Sequence, residues 1–580
     1  MGVRRRSPVP RGLASLVLTC SLASCSSEPD VEGGTSPGGD AGLDANADAA
    51  TDAGAGGGAS DGGGGAGGSL PEICSETENL TRGWQSAVVS YGADGHLVYQ
   101  EDAERNRIPD FSFAGYRNGE VPLPQVATVK EIEPIDGDDT AHVQAAIDEV
   151  GAMPLDAAGL RGALLLRAGE YQIAGTLEVA ARGVVLRGVG DGSDPAANTI
   201  LRAVGNTPHQ RTVLVVGSGT SSRWRDEVDG SRTDITSDFV AVGARTFDVV
   251  DASHLAIGDN VIVVHPCTSA WLTAVDHGGT AADAPWTVDS QPLYFSRYVT
   301  GLSGNTVTVD VPLYNHLDRS LAQSYLFVAD RSSIVTNLGV ESLRVDIETA
   351  GGSDENHAWN ALAFVGVEDA WAVNTTTLHF GLSGVIVQTG SRITVANSRA
   401  LDPVAQVTGS RMYNFNASPG QQLLFTGCEA TNGRHHFVSN GTSWVSGVVF
   451  HECTSRGAYT SSEGHRRWSM AMLFDNVVET DVRSNGLRLI GLYNRGDWGT
   501  GHGWALAHSV AWSYDVGSGL GIVQKPPTAQ NYAIGGAGEF TGSAPPAPYD
   551  QPEGHIEGVG TPNLVPASLY RAQLRDRLCP

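Results

Sequence analysis

Four ten-residue stretches in the second half of the chain can be laid on one another without a gap. They are SRITVANSRA (391–400), QQLLFTGCEA (421–430), SGVVFHECTS (446–455) and MAMLFDNVVE (470–479). The fifth position is apolar in each: Val395, Phe425, Phe450 and Phe474, spaced by 30, 25 and 24 residues. One apolar strand per period, with no helical pattern between, implies a coil of stacked β-turns rather than a closed globule. A later stretch, SVAWSYDV (509–516), is expected to put Trp512 in the same role after a longer excursion. Cys428 and Cys453 fall at equivalent positions and are expected to be buried thiols in neighbouring turns.

The start of the coil has its own signature. GDDTAHVQAAIDEV (137–150) reads as an amphipathic helix with Val143, Ala146, Ile147 and Val150 on one face. It is followed by GALLLRAGEYQIAGTLEVAARGVVLRGVGDG (162–192), short β-branched strands broken at glycines. A capping helix, a strand ending in a Gly-x-Tyr turn and then stacked strands resemble the entry to the pectate-lyase-like right-handed parallel β-helix family. The resemblance implies an all-β solenoid over about 137–543. It does not fix the chemistry, because lyases, hydrolases, epimerases and phage tailspikes share that fold.

Residues 206–335 do not follow the repeat and are expected to form a β-rich insertion. FDVVDASHLAIGDNVIVV and YVTGLSGNTVTVDVPL both read as hairpins with Gly-Asp or Gly-Asn turns. Trp271 and Trp286 are expected to pack in the insertion's own core, and the insertion can wall a substrate cleft. Residues 70–136 form an N-terminal extension, and the tail from 544 to 580 ends in a short amphipathic helix.

Arg4, Arg5 and Arg6 precede an apolar stretch from Gly12 to Ser24, which is too short to span a bilayer. Leu22-Ala23-Ser24-Cys25 resembles the bacterial lipoprotein lipobox, which implies export and lipidation of Cys25 as a membrane anchor. Residues 26–69, nearly all Gly, Ala, Ser, Asp and Thr, cannot bury enough apolar surface to fold and read as a tether. The formal net charge of −27 argues against nucleic acid as a partner. An anionic polysaccharide would have to meet a local cluster of cations, on a protein expected to act as a monomer. Cys74 and Cys579 are placed to tie the two ends together, and no cysteine spacing suggests zinc.

Stacking turns spacing into geometry, because successive turns lie about 4.8 Å apart. Arg434 lies nine residues after Phe425, Tyr459 nine after Phe450 and Arg483 nine after Phe474. GRHHF (433–437) therefore stacks beside GAYTSSEGHRRW (457–468), with LYNRGDWGTGHGW (492–504) on the next level. One side of the coil would gather Arg434, His435, His436, Tyr459, Glu463, His465, Arg466, Asn494, Arg495, Asp497 and His502. Gln524, Lys525, Asn531 and Tyr532 follow as substrate-binding candidates. Arg467, beside Trp468, is the weakest member of the group. Alternation along a strand sends one of His435 and His436 outward and the other inward.

Such a set suits β-elimination on a uronic-acid polysaccharide. A cation neutralises the C6 carboxylate and stabilises the enolate-like transition state, for which Arg434, Arg466 or Arg495 would serve. A base removes the C5 proton (His435, His436 or His465), and an acid protonates the leaving oxygen (Tyr459 or His502). Hydrolysis instead needs two carboxylates, and Glu463 with Asp497 is the available pair. Gly501-His502-Gly503 matches a motif of polygalacturonase-type hydrolases, but their paired aspartates and Arg-Ile-Lys element are missing. A non-catalytic, glycan-binding surface protein is the third reading. No metal or other cofactor is expected. Calcium is the alternative, with Asp354, Glu355, Glu368 and Asp369 as candidate ligands that lack a tight spacing.

Overall fold

The computed structural model describes residues 72–75, 83–209, 211–220, 224–280, 284–483, 488–542 and 551–579. The leader, Cys25 and the tether lie outside these residues. Among the described residues no helix is long and apolar enough to cross a membrane.

The chain is an all-β parallel β-helix in which each turn supplies three short strands. Tyr413–Ala417, Gly420–Thr426 and Glu429–Thr431 make one turn. His435–Ser439, Ser446–His451 and Thr454–Arg456 make the next, each strand parallel to its predecessor. The repeat register holds: Val395 pairs with Phe425, Phe425 with Phe450, and Phe450 with Phe474. The stacked Phe425 and Phe450 rings have centroids 4.9 Å apart, and Phe450 and Phe474 5.4 Å. Cys428 and Cys453 are buried free thiols of the same interior core.

The expected place of Trp512 is wrong by one residue. Phe474 faces Ala511, and Trp512 pairs with Asp475 on the outer face. The strand there is broken into Leu506–Ala507 and Val510–Trp512 around His508 (φ 54°), but the register with Ser469–Asp475 is the same on both sides of the break, and His508 repeats the positive φ of Gln422, Gly447 and Ala471 in earlier turns. Tyr514 continues the interior aromatic stack, 6.1 Å from Phe474.

The helix Thr140–Gly151 caps the first turns, with Val143, Ala146, Ile147 and Val150 buried as expected. Thr212–Val216 pairs in parallel with Leu177–Val179 and with Asn360–Leu378, so it belongs to the coil and the insertion starts after it. The insertion centres on a six-stranded antiparallel sheet. Leu293–Ser303 and Thr306–Val309 form the expected hairpin. The other expected hairpin does not exist: Thr246–Asp248 pairs with Thr306–Val309, whereas Asn260–His265 pairs with Leu293–Ser303 and Tyr325–Val328.

The insertion's core is not self-contained. Trp271 packs edge-on against Trp468 of the coil at 5.7 Å, and Trp286 against the same ring at 6.5 Å. Leu424, Val449, Leu473 and Val510 on the coil's outer face share this second core. That explains why these strands are apolar on both faces, as is usual only for sheets covered on each side. The coil continues past 543, since His555–Glu557 pairs with Tyr532–Ile534. Cys74 and Cys579 form a disulfide across 505 residues of sequence, and Leu569–Leu578 is the C-terminal helix.

Candidate active site

The strip forms on the outer face of the sheet made by Tyr413–Ala417, His435–Ser439, Ser462–Gly464 and Arg488–Leu492. Phe415, Phe437 and Ile490 point into the core, so Glu463, one residue after the interior-facing Ser462, points out. At the preceding corner His436 turns inward. Its Nδ1 lies 3.1 Å from Glu479 Oε1 and its Nε2 accepts from the Gly433 amide, among Ser455, Ser462 and Tyr514. His436 therefore leaves the candidate set, because an interior carboxylate claims it; His435 is the outward member.

Glu463 is the hub. Its Oε1 meets Arg495 Nη1 at 3.0 Å, His465 Nδ1 at 3.1 Å and His435 Nδ1 at 3.4 Å. Its Oε2 accepts from Ser461 Oγ (2.5 Å) and Tyr493 Oη (2.9 Å). Burial alone would raise this carboxyl, but the Arg495 guanidinium leads the charges that outweigh it and hold the group below its usual range. Glu463 is thus a carboxylate sealed at 0% exposure, unable to deliver a proton. Arg495 Nη1 also donates to the His465 carbonyl oxygen (2.8 Å) and lies 2.7 Å from His465 Nδ1.

Around this hub the histidines are neutral. Burial, and then Arg495, holds both His465 and His502 well below the imidazole range; burial does the same to His435 against the pull of Glu463. His435 Nδ1 bonds the Ser461 carbonyl at 2.6 Å, leaving Nε2 buried without a partner. His465 lies 4.8 Å, ring to ring, from both His435 and His502.

Tyr413, which the sequence reading missed, completes the strip. Its hydroxyl stands 3.5 Å from His465 Nε2 and accepts from Arg434 Nη1 at 3.5 Å. Burial raises this phenol, opposed by Arg434 and Arg495, so it is protonated at neutral pH. A signal was present: RMYNF (411–415) has the frame of GRHHF (433–437), which aligns Tyr413 with His435. Arg488 and Tyr493 were also missed. Arg488 bonds Thr460 Oγ1 at 2.7 Å and lies over Trp498 at 4.9 Å.

Arg466 stands at the mouth, half-buried. Its Nε donates to the Asn440 carbonyl at 3.4 Å, and its terminal nitrogens have no partner among the described residues. Arg467 instead bonds Thr500 Oγ1 and the Gly501 carbonyl, latching the 493–504 loop. Trp468 is core, donating to Asn315 Oδ1 at 2.9 Å.

The remaining candidates are placed elsewhere. Tyr459 sits at the corner beside Arg434, with its hydroxyl taken by Arg483 at 3.0 Å. Asp497 is exposed and is not among the contacts of Glu463, so the hydrolase pair is not assembled. Asn494 is buried and donates to the Gly279 carbonyl (3.0 Å), clamping the loop to the insertion. Gln524 accepts from the Asn494 amide at 2.9 Å, and Asn531 bonds the Leu506 and Gln524 carbonyls. These three brace the backbone and do not face substrate. Lys525 and Tyr532 line a separate cleft. Gly501 and Gly503 have φ of 72° and 61°, and a Cβ at Gly503 would come 2.3 Å from the Gly278 carbonyl oxygen. The Gly-His-Gly motif is thus accounted for by close packing on the insertion.

His435, Glu463 and His465 offer ligand atoms within 4.8 Å of one another. A cation there would have to share His465 Nδ1 and Glu463 Oε1 with the Arg495 guanidinium, which already neutralises the set. The four acidic candidates for calcium are spent separately. Asp354 accepts from the Ala350 and Asn356 amides, Glu355 pairs with Arg411 and His209, and Arg392 bridges Glu368 and Asp369.

No family model matches the chain, and no curated protein matches it in sequence. Among solved structures it is similar to the tailspike protein gp49 from Pseudomonas phage LKA1, at 16% identity over 73% of this chain and 70% of that one, with a TM-score of 0.40. It is similar to an alginate lyase from Paenibacillus sp. str. FPU-7 at 8% identity (75% and 99% covered, TM-score 0.36). A polygalacturonase from Erwinia carotovora ssp. carotovora is similar at 11% identity (77% and 98% covered, TM-score 0.33). At such scores the chemistry must be read from the residues themselves.

Proposed function

We propose that this protein is a carbohydrate-active enzyme that cleaves a uronic-acid-containing polysaccharide by β-elimination. The observation that carries the reading is the pairing of a neutral imidazole with a protonated phenol 3.5 Å apart, between Arg434 and Arg466 and backed by a permanently ionised Glu463.

The base role needs the tautomer in which His465 Nδ1–H is directed to Glu463 Oε1 at 3.1 Å, with the Arg495 Nη1 hydrogens on that carboxylate and the His465 carbonyl and not on Nδ1, which lies 2.7 Å away. That leaves the lone pair on Nε2, beside Tyr413. Arg466, with its free fork, and Arg434 hold the C6 carboxylate and draw charge from the developing enolate. His465 Nε2 removes the C5 proton. The C5–H electron pair forms the C4=C5 double bond, the C4–O bond breaks, and the leaving oxygen takes the Tyr413 proton. Acid and base so close together suit a proton and a leaving group on adjacent carbons of one sugar. Glu463, deprotonated and sealed, fits a residue that positions His465 better than one that protonates a glycosidic oxygen, which needs a raised pKa. Export and lipid anchoring at Cys25 are part of the same proposal, since a polysaccharide of this kind is met outside the cell.

The test is incubation with pectate, alginate, heparosan and hyaluronan while following ultraviolet absorbance. Elimination gives a conjugated unsaturated uronate. Reducing ends without that absorbance would replace the lyase by a hydrolase, and binding with neither would leave a glycan-binding protein.

A further inference from the structure

Tyr413 and His465 are 1% and 5% exposed, so a sugar ring cannot come into contact with the phenol and Nε2 as they stand. Reaction needs the atoms that exchange the proton about 3–3.5 Å apart. Some part of the wall must therefore move, and the elements around the strip differ in what holds them. The strands Tyr413–Ala417, His435–Ser439 and Ser462–Gly464 are each laddered to a neighbour on both sides. The base of the 493–504 hairpin is fixed as well. Asn494 Nδ2 donates to the Gly279 carbonyl, the Trp504 amide donates to the Gly278 carbonyl at 2.8 Å, and Arg495 is held by Glu463.

The tip of that hairpin, residues 497–502, belongs to no strand, and Asp497 and Thr500 are exposed. Two side chains and one amide pin it. Arg467 Nη2 donates to the Thr500 carbonyl (2.5 Å) and Oγ1 (2.7 Å), and its Nε to the Gly501 carbonyl (3.3 Å). Trp286 Nε1 donates to the same Gly501 carbonyl at 3.2 Å, and the Arg467 amide to the His502 carbonyl at 3.1 Å. The tip lies on the site: the His502 ring is 4.8 Å from His465, and Trp498 covers Arg488 and Arg495. Gly496 and Gly503 join tip to base at φ of 55° and 61°, and the Gly503 amide donates to the Gly496 carbonyl at 2.8 Å. A hinge absorbs its change of φ and ψ at a few loop positions, and glycine does so at the least steric cost.

We propose that residues 497–502 are a lid with Arg467 as its latch. The lid swings about Gly496 and Gly503 to lift His502 off His465 and admit the polysaccharide, while Glu463, Arg495 and Tyr413 stay in place. Its return over the bound sugar excludes water from the strip. The proposal rests on the reading of the strip as the centre of a lyase. Hydrogen exchange of the full-length protein tests the lid without substrate. Arg467→Ala should speed exchange at least tenfold in peptides carrying the Trp498, His502 and Gly503 amides, and leave peptides of Ser446–His451 unchanged. Unchanged exchange in the lid peptides overturns the proposal. A staple tests it in turnover, since a Cβ on Gly501 would lie 2.8 Å from Ala284 Cβ, about 1 Å from the usual disulfide spacing. Ala284→Cys/Gly501→Cys, oxidised with glutathione disulfide, should lose at least 100-fold in elimination and regain most of it on reduction, beside wild type treated alike. Arg467→Ala keeps the test open if the double variant fails to fold. Exchange that answers to Arg467→Ala, in a protein that never yields unsaturated uronate, would keep the lid and remove the lyase. Elimination at the wild-type rate by the oxidised staple would do the reverse.

Discussion

The strip around Glu463 on the coil and the cleft lined by His508 of the coil and His316 of the insertion both carry neutral histidines, yet only in the strip does a charged hub organise them. In the strip, charge answers charge: Glu463, Arg495, His435 and His465 lie within hydrogen-bond or ion-pair distance, and Tyr413 stands between His465 and Arg434. The cleft is lined by carboxylates (Glu101, Asp102, Glu104 and Asp318) and by Arg107 and Lys525, while His316 Nδ1 and His508 Nε2 are buried without a partner. Burial depresses the imidazoles in both places, so a lowered histidine alone does not mark a reacting group. What distinguishes the strip is that a fixed carboxylate orients the ring and a phenol stands on its far side.

Removing the hub should produce the largest effect. Glu463→Gln leaves Arg495 buried without its counter-charge, which should cost about 3–5 kcal/mol of stability as well as activity. Chemical denaturation read beside turnover checks this, and a variant of unchanged stability would break the picture of a charge-locked strip.

A second buried carboxylate shows what happens without a guanidinium. Burial pushes Asp475 up to about 6, although His451 and bonds from Ser568 Oγ and the Tyr570 amide oppose it. The folded protein then binds this proton more tightly than the unfolded chain. Stability is greatest below the unfolded carboxyl pKa and falls as pH rises from about 4 to about 6, by up to about 3 kcal/mol. Asp475→Asn should flatten that slope in denaturant titrations at several pH values, while Glu463 adds no such fall.

A smaller effect is expected at the mouth. Arg466→Ala removes a free fork without disturbing the hub, so KM should rise about 10- to 100-fold, as for loss of one charge-assisted contact, with stability within about 0.5 kcal/mol. A fall in kcat at constant KM would move Arg466 from binding into the chemistry.

The coil was legible because Val395, Phe425, Phe450 and Phe474 repeat one side-chain environment, and an environment that recurs leaves a sequence period. Trp512 misled because small Ala511 takes the interior place opposite Phe474, while the neighbouring large ring faces outward and donates to the Pro566 carbonyl of the tail, so matching ring to ring picked the wrong face. The strip was legible as residue types, since stacking places Arg434, Glu463 and Arg495 on consecutive levels. Its closure was not, because Asn494 and Gly503 meet Gly279 and Gly278 across more than 200 residues of sequence. Which of His435 and His436 faces out depended on Glu479, a partner that the local pattern does not name. Tyr413 was hidden by its ordinary appearance in a turn without a charge cluster of its own.

The central claim is that a phenol beside a neutral imidazole, and not a pair of carboxylates, carries the chemistry. Tyr413→Phe tests it most directly, because it removes one oxygen and leaves Glu463, Arg495 and His465 bonded to one another. With a polysaccharide that the wild type converts to unsaturated uronate, the variant should lose on the order of 10²–10⁴-fold in rate while keeping its denaturation midpoint. Full activity in Tyr413→Phe, together with its loss in Asp497→Asn, would contradict the account and return the site to the carboxylates.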